Sequence, residues 1–73
     1  MREAPILVDG EVIQTLKPEL YKVRLPNGKI TLGHLSKKLR ALESTFENGH
    51  VVRLEMTPFD FDSGRIVSLS EKS

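Results

Sequence analysis

"LYKVRLPNGKITLGHLSKKLRAL", Leu20 to Leu42, is the stretch that decides the fold. It opens with a clean alternation, Tyr21, Val23 and Leu25 on one side and Lys22 and Arg24 on the other, the period-two pattern of a half-buried strand. "PNG" (Pro26 to Gly28) then reads as a tight turn, because Asn27 and Gly28 tolerate positive φ. "KITLGH" (Lys29 to His34) follows as the partner strand, and its pattern points Ile30 and Leu32 inward. After His34 the period lengthens. Leu35, Leu39 and Leu42 are spaced by four and three, which predicts one apolar face on a short helix, with Lys37, Lys38 and Arg40 directed elsewhere. A helix of about two turns persists only when packed against a sheet.

Outward from this stretch the chain reads as strands and turns. "ILVDGEVIQTL" (Ile6 to Leu16) is rich in β-branched residues and predicts a strand; Gly10 inside it predicts a bulge or sharp bend. "KPE" (Lys17 to Glu19) is a turn. "ESTFENG" (Glu43 to Gly49) is a loop closed by Asn48 and Gly49. "VVRLEM" (Val51 to Met56) alternates again, with Val52, Leu54 and Met56 on one face. "TPFDFDSG" (Thr57 to Gly64) predicts a second tight connection, and "RIVSL" (Arg65 to Leu69) the last strand. There is no internal repeat and no low-complexity segment. Three strands, a short helix and two further strands are the layout of an OB-fold. The expected structure is all-β: a five-stranded antiparallel OB-fold barrel with one short helix between strands 3 and 4. It forms a single domain over residues 1–73, with frayed ends at about 1–5 and 70–73. No helical segment is long enough for parallel βαβ crossovers.

Size and composition narrow the options. A chain of 73 residues leaves no room for a second domain, and one this short buries only about 60% of its unfolded surface. It has no cysteine, so disulfides and a structural zinc site are excluded and the core must be hydrophobic. "MREAPILVDG" carries no long apolar run, so neither a secretory signal nor a membrane span is expected, and the cytoplasm is the expected location. The net charge of +1 hides an asymmetry: from Lys17 to Arg40 there are seven cations and one anion, +6, against −5 over the rest of the chain. Such a block suggests a surface for a polyanion.

Residues for catalysis are missing. Both histidines, His34 and His50, read as surface or strand-end side chains. Asp60 and Asp62 in "DFDSG" read as suppliers of turn hydrogen bonds rather than as metal ligands. No phosphate-binding glycine loop and no Ser, His and acid set stands at a recognisable motif. The expectation is a binding protein, not an enzyme, with no cofactor. Lys22 and Arg24 on a strand, and Lys37, Lys38 and Arg40 on the helix, suit phosphate contacts with counterion release. Tyr21 falls on the inward side of its strand, and the few other aromatics (Phe46, Phe59, Phe61) favour folded RNA over unstructured single strands.

"GEVIQTL" from Gly10, "VRLPNG" from Val23, "GHLSKKLR" from Gly33 and "MTPFDFDSGRIV" from Met56 together resemble bacterial translation initiation factor one. The resemblance runs from about Ile6 to Val67. It implies a monomeric OB barrel that binds the small ribosomal subunit at its aminoacyl-tRNA site, touching rRNA and a ribosomal protein. Such a factor blocks premature tRNA access and assists initiation factors two and three. It also implies RNA contacts by His34, Lys38 and Arg40 from "HLSKKLR" and by Phe59 and Arg65 from "PFDFDSGRI". With Lys22, Arg24 and Lys37 these make up the expected RNA-binding set.

The chain departs from the family pattern in places. Lys37 stands where the family usually has glycine. Glu43 and Thr45 stand at its usual tyrosine and second arginine positions, Gly49-His50 replaces glycine-aspartate, and "SLSEKS" replaces a basic tail. One rim of the RNA surface thereby loses cations, and each lost phosphate contact weakens RNA binding. Two other readings are therefore open: a paralogous RNA-binding barrel, such as a cold-shock-like RNA chaperone, and a protein-interaction module that no longer binds RNA.

Overall fold

The structure, a computed structural model, describes residues 6–70. Five strands and one helix follow in the order β1 (Ile6–Lys17), β2 (Leu20–Arg24), β3 (Ile30–Leu35), α1 (Lys37–Ala41), β4 (Val51–Thr57) and β5 (Asp60–Leu69). The strands close into a barrel in the order β1-β2-β3-β5-β4. All pairings are antiparallel except β3 with β5, which is parallel; the expectation of a wholly antiparallel barrel is corrected at that seam. The helix makes it possible, because the chain between β3 and β5 carries α1 and β4 and returns β5 in the direction of β3. Positions 1–5 and 71–73 of the expected frayed ends lie outside the described residues. Ser70 is tied down, its N–H donating to the Val51 carbonyl at 2.8 Å.

β1 is long because it serves two neighbours. Its first half pairs with β4, Ile6 to Glu11, and its second half with β2, Glu11 to Lys17. No bulge falls at Gly10; the register shifts of β1 lie between Val12 and Gln14 and between Thr15 and Lys17. Gly10 is needed for space: a Cβ there would stand 2.5 Å from Val23 Cγ1 and 3.1 Å from the Arg24 carbonyl.

The β2–β3 hairpin forms as expected, with a different turn and a different phase. Gly28 N–H donates to the Leu25 carbonyl at 2.9 Å, and Gly28 alone takes positive φ (91°), Asn27 instead accepting from Lys29 N–H through Oδ1 at 3.0 Å. The turn sets Tyr21 opposite Gly33 and Val23 opposite Thr31. Paired residues share a face, so Thr31, Gly33 and Leu35 point inward, while Ile30 and Leu32 are exposed. That reverses the predicted phase of this strand. The reason is volume: Tyr21 is fully buried opposite Gly33, and a Cβ on Gly33 would already lie 3.0 Å from Ile66 Cδ1. Thr31 is tolerated inside because its hydroxyl donates to the Phe61 carbonyl at 2.9 Å.

Val52, Leu54 and Met56 of β4 fill the barrel as their alternation predicts. Burying a side chain such as Leu54 contributes about 1.5–3 kcal/mol. The predicted connection from Thr57 to Gly64 shrinks to Pro58-Phe59, with Thr57 already paired to Asp60, so β5 begins well before Arg65.

One end of the barrel is closed by α1 and the loop after it. Ser36 caps the helix, its Oγ accepting from Leu39 N–H at 3.3 Å, and its own N–H donates to the Ile66 carbonyl at 3.0 Å. Leu39 is buried, but Leu42 is 65% exposed, against expectation. The helix ends at Ala41, and Glu43 turns the chain away with φ 54°. Phe46 from the loop enters the core instead. It stacks edge-on against Tyr21 with ring centroids 5.7 Å apart, and its N–H donates to the Tyr21 hydroxyl at 3.3 Å.

Candidate nucleic-acid interface

The outer wall of the barrel carries a row of side chains that crosses every strand. Lys17 pairs with Leu20, Leu20 with His34, His34 with Arg65, Arg65 with Glu55, and Glu55 with Leu7. Partners in a ladder point to the same face, so these groups stand side by side. A second row beside it runs Gln14, Lys22, Leu32 and Ser63, and a third Glu11, Arg24 and Ile30. The β2–β3 wall is thus a mixed surface of cations and exposed aliphatics.

The ends of the barrel differ. At the helix end, Lys17, Glu19, Leu20, His34 and Arg40 line a depression of about 470 Å³. Lys37 and Lys38 open the helix and are exposed. Phe59 lies at the opposite end. β5 starts at Asp60 and runs parallel to β3, whose start adjoins the β2–β3 turn, where Lys29 meets Asp62 at 3.0 Å. Phe59, in the β4–β5 turn, is 80% exposed there. The structure therefore joins His34, Arg40 and Arg65 around one edge, sets Lys22 and Arg24 along the wall, and leaves Phe59 at the far rim.

The cations of this surface are not equivalent. Arg24 meets Glu11 at 3.3 Å, Arg40 meets Glu19 at 3.8 Å, and Arg65 meets Glu55 at 2.6 Å. Arg65 thus pairs with a β4 carboxylate, its ladder partner. Asp60 supplies local hydrogen bonds as predicted, accepting from Asp62 N–H at 2.9 Å and from the Ser63 hydroxyl at 3.4 Å. Lys17, Lys22, Lys37 and Lys38 have no carboxylate partner among the described residues. Exposed pairs of this kind contribute only about 0–1 kcal/mol to stability, so the surface charges are available for a ligand at little cost to the fold.

The solution structure of translation initiation factor one from the Wolbachia endosymbiont strain TRS of Brugia malayi is similar to this chain. It matches with a TM-score of 0.75 and 26% identity, over 96% of this chain and 83% of the other. The fold is an OB barrel like that of initiation factor one. No protein-family model matches the chain. In such a barrel the β2–β3 wall and the β1–β2 and β4–β5 turns form the surface on which OB-folds bind oligonucleotides. All eight sequence-predicted residues lie on that wall, on the neighbouring β5, in a flanking turn or on the adjoining helix. Lys17 belongs to the basic block of the sequence but not to the predicted site. The β1–β2 turn brings it beside the end of β3, a placement that appears only once the register is known. Among the described residues, no helix is long and apolar enough to cross a membrane, and no group of three or more His, Asp or Glu side chains could hold a metal ion.

Proposed function

We propose that this protein is a translation initiation factor that docks on rRNA of the small ribosomal subunit at the aminoacyl-tRNA site. There it blocks premature tRNA access and assists initiation factors two and three. It acts in the cytoplasm as a monomeric binding protein and not as an enzyme. The observation that carries this reading is the row Lys17, Leu20, His34 and Arg65 on a barrel like that of initiation factor one. Arg40 flanks the row, with three lysines that have no carboxylate partner among the described residues. Those three, Lys22, Lys37 and Lys38, supply point charges for phosphates, and Arg40 and Arg65 supply forked donors that match phosphate oxygens. His34, between Leu20 and Arg65, contacts the RNA backbone or a base edge. Lys37, at a position usually glycine in the family, compensates in part for the missing cation at Thr45.

The test is co-sedimentation with purified small ribosomal subunits across a salt series, comparing the native protein with Lys38→Glu/Arg40→Glu. Stoichiometric binding that weakens with salt and fails in the double variant is the expected result. No binding at low salt, even with initiation factors two and three present, overturns the reading.

A further inference from the structure

Glu55 stands out among the acids of this surface. Its side chain is only 28% exposed, whereas its partner Arg65 is 61% exposed, and the contact between them is the shortest ion pair among the described residues at 2.6 Å. The two residues are also ladder partners, so the backbone itself holds them together. Glu55 is fixed between Leu7 on β1 and Arg65 on β5, with its carboxylate at the edge of the basic row. Arg65 in turn adjoins His34. A phosphate that reaches Arg65 must therefore displace a held carboxylate or share the guanidinium with it.

We infer that Glu55 is a specificity-determining residue, a built-in competitor that withholds Arg65 from weakly bound polyanions. This rests on the reading that the row binds RNA. A lone, flexible phosphate chain gains too little at one site to exchange for the Glu55 carboxylate. A folded RNA that engages Lys17, Lys22 and the helix cations together holds a phosphate at Arg65 at high effective concentration. Glu55 thus lowers affinity for unstructured RNA more than for the folded target.

The experiment measures polyuridylate binding, and separately small-subunit binding, for the native protein, Glu55→Gln, Arg65→Gln and the double variant. Glu47→Gln is the control for net charge, since Glu47 is exposed and has no cation partner among the described residues. Glu55→Gln is expected to bind polyuridylate about two- to fivefold more tightly, the range set by releasing an exposed ion pair. Its salt slope steepens by about 0.7 for one added phosphate contact. The gain disappears in the Arg65→Gln background and is smaller for small subunits than for polyuridylate. An equal gain in Glu47→Gln, or a gain that persists without Arg65, overturns the inference, as does an unchanged Glu55→Gln. An equal gain for small subunits and polyuridylate overturns the specificity role, whereas a gain routed through Arg65 with no subunit binding removes the ribosomal reading and leaves Glu55 only as the competitor for Arg65 against single strands.

Discussion

Gly10 on β1 and Val23 on β2 approach so closely inside the barrel that a β-carbon on the glycine would stand 2.5 Å from Val23 Cγ1. Val23 is fully buried and β-branched, so its side chain has few rotamers to retreat into. The Arg24 carbonyl blocks a second direction at 3.1 Å. Gly10→Ala is therefore expected to destabilise the protein by about 1–3 kcal/mol, the usual cost of overpacking a core. Urea denaturation checks it as a lower midpoint at unchanged slope; an unchanged midpoint would mean that β1 moves outward without loss.

Glu43 predicts a change of opposite sign. It follows the end of α1 with φ 54°, its N–H bonding to the Arg40 carbonyl and the next N–H, from Ser44, to that of Leu39, both at 3.0 Å. This is the paired closing of a helix end that normally uses glycine at the left-handed position. Glu43→Gly is expected to raise stability by about 0.5–1 kcal/mol, the left-handed strain relieved minus the added freedom of the unfolded chain. Thermal melting monitored by circular dichroism reads the shift, and a lower melting temperature would contradict it.

Paired and unpaired cations should separate in their salt dependence. Lys38 has no carboxylate partner among the described residues, whereas the Arg24 guanidinium is 3.3 Å from Glu11. Lys38→Gln is expected to reduce the slope of log affinity against log salt by about 0.7–0.9, the share of one phosphate contact. Arg24→Gln is expected to reduce it by less, because its charge is already partly answered. Equal slopes for the two variants would show that neither contact, or both alike, reaches phosphate.

Much of this is readable along the chain, and the failures share a cause. Val52, Leu54 and Met56 follow a pattern that hydropathy alone reveals, as do Tyr21, Val23 and Leu25. β3 misleads because Ile30 and Leu32 are more apolar than Thr31 and Gly33. Its phase is set by the volume of Tyr21 across the ladder, which local hydropathy does not record. Leu42 fails for a related reason: the helix stops at Ala41 and the barrel end is filled by Phe46, a loop residue with no periodic signature. The basic block from Lys17 to Arg40 is visible in composition. The neighbourhood of His34 with Arg65, and of Arg65 with Glu55, depends on strand pairings between distant segments and on no local pattern.

The parallel seam between β3 and β5 also bears on how the protein comes into being. On the side away from β2, Leu32 to Leu35 pair with Ser63 to Ile66, so the barrel cannot shut while β5 is still being synthesised. The β2–β3 hairpin can form early from local contacts, but pairings so distant in the chain come at the slow end of folding. His34 gains Arg65 as a neighbour only when this seam closes, and the basic row is completed there. A nascent or C-terminally clipped chain would carry Lys17 and His34 without Arg65 to finish the row, so the basic surface matures only when β5 takes its place beside β3.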